Sequence, residues 1–483
     1  MTYLGVDLGT SGLRALLVDE AGTPITTVER AYQTQTLYLG WSEQDPWLWI
    51  DALESAVSEM HASVPEFAEL KGIGVAGHMH GATVLDKNGE VLRPCILWND
   101  TRAHAEAAAL DDQSEVQNLS GNIVFPGFTA PKLEWIRKNE PDIYQRIAKV
   151  LLPAAYLNFY LTDDYVADMS DSAGTSWLDV RKRDWSPKLL AAAGMRVDQM
   201  PRLVEGSQTA GYLKDELRRK WGLKNAVSVA GGAGDNAAAA CGVGALQEGQ
   251  GVVSLGTSGV ILSARDHCQP NPEMAVHTFC HAIPDHWYQM GVMLAATDNL
   301  NWLARVTDKT PADLTAALGA KLTPPGAVLF LPYLAGERTP HNDAAIRGSF
   351  TGISAQTSRD DLTKAVLEGV AFGLKDSFNA LAASGACVAR LIAIGGGARS
   401  DYWLKLIATV LNTPLFVPEQ GEFGAALGAA RLGLVAATGQ APNDVMTPPK
   451  IKRVVQPEQS LINDFEVAYQ RFRNAYPAIK SLS

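Results

Sequence analysis

Cysteine is scarce in this sequence and is not arranged in a recognisable framework. The 483 residues include five cysteines, scattered along the chain and without a Cys-x-x-Cys pair, so neither a disulfide scaffold nor a cysteine-based metal site is indicated. No uninterrupted apolar run is long enough to span a membrane, and the first residues have the pattern of a strand, not of an export signal. We therefore expect a cytoplasmic protein with reduced thiols.

The charge balance excludes a further class of partners. The formal net charge is −11, which argues against a surface for nucleic acid or for an anionic membrane. With 47% hydrophobic and 19% charged residues, the chain has an ordinary globular composition and is long enough for two large domains. We expect small-molecule partners, no nucleic acid and no membrane.

Two common nucleotide-binding motifs are missing as well. The P-loop pattern G-x-x-x-x-G-K-[ST] does not occur in the chain. Gly395 to Gly397 follow a strand-like segment, but Ser400 stands where a dinucleotide fingerprint needs its third glycine. This spacing argues against a dehydrogenase, so a nucleotide would have to be held by a different architecture.

The chain does contain a repeated pentapeptide. The string Leu-Gly-Thr-Ser-Gly occupies 8–12 and again 255–259, 247 residues apart. Each copy lies between two short apolar runs, which predicts a strand, a tight turn and a returning strand. Such turns present backbone N–H groups with little side-chain bulk, which suits phosphate. Asp7 precedes the first copy and Ser254 the second, which indicates two related domains that hold a nucleotide between them, with a carboxylate on one side.

Strand-like and helix-like segments alternate through both halves, which indicates α/β domains. A glycine-rich stretch at 244–251 follows a predicted helix and precedes the second hairpin, so we place the domain boundary there. The predicted domains are 1–246, 247–440 and a helical tail at 441–483. The predicted elements are strands at 73–76, 227–230, 328–332 and 390–394 and helices at 47–60, 235–243, 361–381, 402–411 and 462–476.

Two aspartates are candidates for chemistry. Asp235 follows a glycine-rich turn and opens an alanine-rich helix. It is either a simple helix cap or a carboxylate at the mouth of a cleft, able to accept a proton from a substrate hydroxyl. Asp7 alone would be a turn-forming residue, but the second hairpin favours a role beside bound phosphate.

Two sets of histidines have spacings that need an explanation. On a helix, His277, Cys280 and His281 would face one metal, but a fourth ligand at convincing spacing is missing, which disfavours a metal site. On a continued strand, His78 and His80 would share one face, where a polar pocket wall is a better interpretation than a metal pair. Packing and pocket lining are expected of Trp41, Trp47, Trp49 and Trp98.

Two longer segments resemble the signatures of the FGGY carbohydrate kinase family, which belongs with the actin, Hsp70 and hexokinase ATPases. They run from Gly127 to Asn139 and from Gly348 to Glu368. The resemblance spans nearly the whole chain. Shorter matching stretches lie at 41–46, 77–81, 96–100, 168–171 and 336–341.

The resemblance implies a fold, two ligands and a set of site residues. The fold would be two ribonuclease-H-like domains, each a mixed five-stranded sheet flanked by helices, around a deep cleft that binds ATP, Mg²⁺ and a sugar. Asp235 would be the catalytic base, and Asp7 would orient Mg²⁺ through water. The sugar would lie against Met79, His80, Trp98, Asp235 and Asn236. ATP would be held by Thr10, Ser11, Arg14, Gly256, Thr257, Gly396 and Gly397.

The resemblance also implies a class of sugar. D-xylulose, phosphorylated on its 5-hydroxyl, is the expected substrate, with ribulose, gluconate, rhamnulose, glycerol and 1-deoxy-D-xylulose as alternatives. His78 departs from the glutamine expected there, which bears on sugar preference. Asp401 stands where glycerol kinases have asparagine near adenosine, so that contact is not carried over. A chaperone or filament ATPase of the same superfamily is a rival, disfavoured by the sugar-kinase signatures. A homodimer is expected at the level of the family.

Overall fold

Two mixed β-sheets with the same core strand order form the framework of the chain. The computed structural model describes residues 1–419 and 423–482; the predicted domain 247–440 therefore includes three residues, 420–422, that lie outside the described part. The elements of the first half are strands β1 Thr2–Leu8, β2 Gly12–Val18, β3 Pro24–Ala31, β4 Glu43–Gln44, β5 Leu70–Gly77, β6 Thr83–Leu85, β7 Cys95–Ile96, β8 Lys149–Leu151, β9 Val166–Asp168, β10 Leu178–Asp179, β11 Asp184–Trp185, β12 Arg202–Val204, β13 Thr209–Tyr212, β14 Ser228–Ala230 and β15 Ala233–Gly234, and helices α1 Trp47–Ser63, α2 His104–Asp111, α3 Ser114–Ser120, α4 Thr129–Asn139, α5 Pro141–Arg146, α6 Pro153–Thr162, α7 Met169–Ser172, α8 Pro187–Ala192, α9 Asp215–Lys220 and α10 Asp235–Gly242.

The second half repeats the alternation of strands and helices. Its elements are strands β16 Gln250–Leu255, β17 Gly259–Arg265, β18 His277–Cys280, β19 Trp287–Met293, β20 Leu329–Leu331, β21 Ser349–Thr351, β22 Arg390–Ile394, β23 Leu415–Pro418 and β24 Ile451–Val455, and helices α11 Thr297–Val306, α12 Pro311–Ala317, α13 Arg359–Ala383, α14 Asp401–Leu411, α15 Gly424–Thr438, α16 Pro442–Val445 and α17 Ile462–Lys480. Short 3₁₀ helices lie at Pro65–Glu69, Ala173–Thr175, Val197–Gln199, Pro272–Met274, Gly396–Arg399 and Gln459–Leu461.

The two core sheets have matching topology. The first runs in the order β3-β2-β1-β5-β14 and the second in the order β19-β17-β16-β22-β23. In both, a hairpin and a third strand pair antiparallel, and two further strands follow in parallel. Each copy of the repeated pentapeptide forms the turn of the first hairpin in its sheet. The expected duplication is therefore confirmed.

Each core sheet is wider than the five strands that the family resemblance implies. Over the described residues both sheets have seven strands, because β13 and β15 extend the first and β18 and β24 the second. Added strands pair backbone groups that an open edge would expose. One of them, β18, reaches the site described below.

The predicted helices and strands named above are confirmed, with ends that differ by a few residues. The strand at 390–394 has the predicted bounds, and the terminal helix continues to Lys480. These segments have strong apolar patterns, which is where sequence-based prediction is most reliable. The domain boundaries at 246/247 and 440/441 stay predictions.

Helix α15 joins the two halves. It lies in sequence between strands β23 and β24 of the second sheet but packs against β1, β5 and α10 of the first half. A Cβ at Gly74 would lie 1.9 Å from the carbonyl oxygen of Ala429, and one at Gly428 would lie 1.8 Å from that of Ala238. These glycines permit backbone-to-backbone packing that a side chain would prevent. Among the described helices, none is long and apolar enough to cross a membrane.

Candidate active site

In the described chain, the turn of the first hairpin has two backbone N–H groups without an acceptor, whereas its Gly9 N–H donates to the Gly12 oxygen at 3.0 Å. Its carbonyls are occupied: Gln44 Nε2 donates to the Thr10 oxygen at 2.6 Å, and the Tyr32 hydroxyl donates to the Gly9 oxygen at 2.6 Å. Within the described chain, the N–H groups of Thr10 and Ser11 donate to no acceptor. Adjacent unpaired N–H groups form a concave site for an anion.

The turn of the second hairpin has the same property. Thr297 donates its N–H and its hydroxyl to the Gly256 oxygen at 3.0 and 2.8 Å, and Ala296 N–H donates to the Thr257 oxygen at 2.7 Å. In the described part of the chain, the N–H groups of Gly256, Thr257 and Ser258 have no acceptor. Each half therefore presents a turn with unpaired N–H groups, an arrangement that suits an anion.

A cavity of about 350 Å³ lies beside the second hairpin. Gly397 packs so closely there that a Cβ would lie 2.8 Å from that of Leu255. Gly395 has a φ of 90°, which favours glycine. The volume lies in the range of small-molecule pockets. Its lining residues, most of them missed from the sequence, are Thr297, Leu300, Asn301, Pro311, Ala312, Thr315, Gly396, Gly397, Arg399, Ser400 and Trp403.

Two half-buried carboxylates interact near the first hairpin. Asp7 lies on β1 and pairs in register with Arg14 on β2, whose guanidinium also forms an ion pair with Glu29. Burial, and after it the charge of Asp235, raise the pKa of Asp7 to about 6. Burial likewise raises the pKa of Asp235 to about 6. Two coupled acids of this kind are typical of functional sites.

Asp235 does not cap its own helix, so the simpler of its two interpretations is wrong. Gly234 occupies the cap position, and Asp235 is the first helical residue. Its Oδ1 accepts from the backbone N–H of Asn236 at 2.7 Å and from the Asn236 Nδ2 at 2.8 Å. Over the described chain, Oδ2 has no hydrogen-bond partner. That oxygen is available to a ligand.

The segment after β5 forms a wall next to Asp235. Met79 is buried, and a Cβ at Gly234 would lie 2.9 Å from its Cγ. His80 has a φ of 69°, so the chain turns here; the expected strand continuation, with both histidines on one face, is wrong. The His80 ring stacks on Phe128 with 4.4 Å between ring centres. The structure thus brings Met79, His80, Asp235 and Asn236 to one region, as the resemblance implies.

His78 is separated from this wall. It is buried against Trp49, with ring centres 5.6 Å apart. Neither of its ring nitrogens has a partner among the described residues. Burial lowers the pKa of His78 to about 3, and that of His80 to about 3 as well. Both rings are therefore neutral at physiological pH.

The second half contributes aromatic and cationic groups to the same wall. The His277 ring lies 5.2 Å from Phe125 and 5.9 Å from Phe128, centre to centre. The Arg338 guanidinium lies 4.3 Å from the Phe125 ring centre. Phe279 lies 6.2 Å from His80. Residues of both halves therefore make up the wall, so its shape depends on how the two halves pack against each other.

The interpretation of His277, Cys280 and His281 as one face of a helix is wrong. His277 and Cys280 lie on strand β18, where alternation sends them to opposite faces. The Cys280 thiol donates to the Val180 oxygen, and His281 Nε2 interacts with the Ala245 oxygen. Among the described residues, a potential ligand cluster occurs elsewhere, on Glu248, Asp266 and His267.

Trp98 lies beside the first hairpin. Its indole N–H donates to the Thr10 hydroxyl at 2.9 Å, and the side chain is 43% exposed. The indole therefore supports the first hairpin. In the described chain no contact joins it to Met79 or His80, so its role as a wall of a sugar pocket stays a prediction.

Two buried charged residues were missed from the sequence. Asp171 is 2% exposed, and neither of its oxygens has a partner in the described chain. Burial and the charges of Asp168 and Asp235 raise its pKa well above the usual value. Lys132 is fully buried on α4. Both lie in motifs that carry the family resemblance, but spacing alone gives no sign that they are buried.

Comparisons with known proteins agree along the whole chain. The pattern of the FGGY family of carbohydrate kinases, N-terminal domain, matches residues 2–242, and that of its C-terminal domain matches residues 251–437. A protein named xylulose kinase from Escherichia coli (strain K12) is 44% identical over 440 residues, which are 90% of each chain. One of the same name from Klebsiella pneumoniae is 41% identical over 484 residues, 99% of each chain. A crystal structure described as a xyloylose kinase from Brucella ovis has a TM-score of 0.99, at 55% identity and 100% coverage of both chains.

The cavity beside the second hairpin yields a binding prediction. A Cβ at Gly396 would meet nothing within 4 Å, so Gly396→Val should extend into the cavity and leave the fold unchanged. We expect the affinity for ATP, measured by fluorescence titration, to fall about tenfold or more, because the side chain occupies ligand space. The thermal midpoint serves as the control and should not move. Unchanged ATP affinity would show that the cavity is not the nucleotide site.

Proposed function

Because this chain belongs to the FGGY family of carbohydrate kinases, we propose that it transfers the γ-phosphoryl group of ATP to the 5-hydroxyl of D-xylulose. The products are D-xylulose 5-phosphate and ADP. The names of the similar proteins favour this sugar. The structural observation that carries the proposal is the pair of turns that, among the described residues, have unpaired N–H groups and lie near a half-buried carboxylate with one oxygen free.

In this proposal the two turns bind the phosphates of ATP from opposite sides. Thr10, Ser11 and Arg14 contact the transferring phosphate, while Gly256 and Thr257 hold the phosphates from the second half. Adenosine occupies the cavity lined by Gly396 and Gly397. Backbone N–H groups suit this role because they stabilise negative charge and need little reorganisation during the reaction.

Asp235 acts as the base. The 5-hydroxyl oxygen forms a bond to the γ-phosphorus as the bond from phosphorus to the β–γ bridging oxygen breaks, and the hydroxyl proton passes to Asp235 Oδ2. A carboxylate is a weak base for an alcohol, so the proton leaves late, when the new P–O bond makes it acidic. Phosphoryl transfer requires mainly alignment and charge stabilisation, and this arrangement supplies both.

Asp7 is the proposed contact for Mg²⁺, through water. The residues fit a cation: Asp7 and Asp235 are partly buried acids whose charges repel each other, and Arg14, which offsets the charge of Asp7, also pairs with Glu29. When bound, the ion neutralises charge on the phosphates.

The proposed homodimer and cytoplasmic location stay predictions.

The sugar lies against Met79, His80 and Asn236, with its terminal hydroxyl at Asp235. A ketopentose is long enough to reach both His80 and Asp235, whereas glycerol is too short. A site that hydrogen-bonds a group rejects ligands that lack it, because its own polar groups are then left unpaired.

The acid limb of the pH profile should report the Asp235 carboxylate. Asp235 is a base only when ionised, so kcat/KM should fall as the pH drops below about 6, the value to which burial raises its pKa. His78 and His80, with pKa values of about 3, do not titrate in this range. The check is kcat/KM for D-xylulose at saturating ATP and Mg²⁺ from about pH 4.5 to 8.

A variant separates the two acids in that profile. Mg²⁺ bound beside Asp7 favours the ionised form of that carboxylate, so at saturating Mg²⁺ the wild-type limb should have a slope of one, and Asp7→Asn should keep the limb near pH 6. A wild-type limb centred near pH 4, the ordinary value for aspartate, would contradict the role of burial.

Substrate preference is tested by a coupled ADP-release assay across ketoses and polyols. We expect D-xylulose to give the highest kcat/KM, above ribulose, gluconate and glycerol. His80→Ala should lower kcat/KM more for D-xylulose than for glycerol, since glycerol does not reach that side chain. If gluconate, ribulose or glycerol is the better substrate, the sugar assignment is wrong, although the family membership stands.

A further inference from the structure

Lys132 is a buried cation that has no carboxylate partner among the described residues. It is 0% exposed, and its Nζ donates to the backbone oxygen of His80 at 2.8 Å. Among the described residues it forms no ion pair. Burial lowers the pKa of Lys132 to about 7, which shows that the fold disfavours its charge. A lysine in this setting does not contribute to stability through its charge, so its presence needs another explanation.

Its acceptor is in an unusual backbone conformation. His80 has a φ of 69°, a left-handed region that residues other than glycine rarely occupy. Such a conformation persists only where the surroundings hold it. The His80 carbonyl accepts from Lys132 Nζ and, at 3.1 Å, from the Thr129 hydroxyl.

The imidazole of His80 is fixed by the same part of the fold. Its ring stacks on Phe128 at 4.4 Å, and Nδ1–H donates to the Gly174 oxygen at 2.6 Å. Phe128, Thr129 and Lys132 all belong to the start of α4. Backbone and ring are therefore held mainly by one helical turn, and Nε2 of the ring is left for a ligand.

We propose that Lys132 is a positioning residue for the sugar, which it affects by fixing the His80 carbonyl and so directing the His80 imidazole. The inference rests on the proposed function, in which His80 contacts the sugar. Lys132 itself lies behind His80 and touches neither the sugar nor the reacting atoms. Its expected signature is a change in sugar affinity without a change in ATP affinity.

The variant Lys132→Met distinguishes the positioning role from a purely structural one. A purely structural role predicts a lower thermal midpoint with equal losses for sugar and ATP, whereas the positioning role predicts the results below. Lys132→Met keeps most of the volume and removes the buried charge, and Thr129 still donates to the His80 carbonyl. The thermal midpoint should therefore stay the same or rise. The KM for D-xylulose should rise about tenfold, because a His80 that is held less firmly is in its binding orientation for only about a tenth of the time, whereas kcat and the KM for ATP should stay within about twofold of wild type.

A double-mutant cycle tests whether Lys132 acts through His80. The variants are Lys132→Met, His80→Ala and the double substitution, with Lys138→Met as the matched control, because Lys138 lies on the same helix but is half exposed and pairs with Glu106. In the His80→Ala background, Lys132→Met should have no further effect on the KM for D-xylulose. Lys132→Gln, which retains a donor, should have a KM nearer to that of wild type, and it replaces Lys132→Met if the latter does not fold.

The outcomes separate this inference from the proposed function. An unchanged KM in His80→Ala overturns the placement of the sugar at His80, and the inference with it. A raised KM in His80→Ala, combined with an additive or absent effect of Lys132→Met, overturns only the role of Lys132. A lower thermal midpoint with equal losses for sugar and ATP also overturns it.

Discussion

The site depends on two hairpin turns. Neighbouring residues donate hydrogen bonds to the backbone carbonyls of each turn, whereas the N–H groups of residues 10–11 and 256–258 have no acceptor in the described chain. Gln44 and Tyr32 occupy the carbonyls of the first turn, and Thr297 and Ala296 those of the second. Without these donors the turns could rotate and satisfy their own polar groups. The duplicated sheets place one such turn in each half, so the phosphates of a nucleotide can be bound from both sides.

Burial governs the chemistry as much as the hairpins do. It raises the pKa values of Asp7 and Asp235 to about 6 and lowers that of Lys132 to about 7. For Asp235 this makes the carboxylate a better base while it remains ionised at neutral pH. For Lys132 the same effect disfavours the charge. Stability is thus lost at groups whose positions matter for binding, as is common at functional sites.

Sequence reasoning succeeded where the signal is local. The repeated pentapeptide identified both turns, and the apolar runs identified the strands beside them, because turn chemistry and strand patterning act over a few residues. It failed where distant segments meet. The spacing of His277 and His281 is that of a helix, but His277 lies on the added strand β18. The spacing misleads because a short apolar segment is compatible with either a helix or a strand. The contact from Lys132 to His80 crosses 52 residues of sequence, and nothing in their spacing indicates it.

The central claim is that Asp235 takes the proton of a sugar hydroxyl that lies in line with a phosphate held between the two turns. A crystal structure with D-xylulose, Mg²⁺ and a non-hydrolysable ATP analogue tests it most directly. The account predicts an Asp235 oxygen within about 3 Å of the 5-hydroxyl, with the γ-phosphate contacted by N–H groups of both turns. A sugar bound with its terminal hydroxyl away from Asp235, or a γ-phosphate contacted by one turn alone, would contradict it.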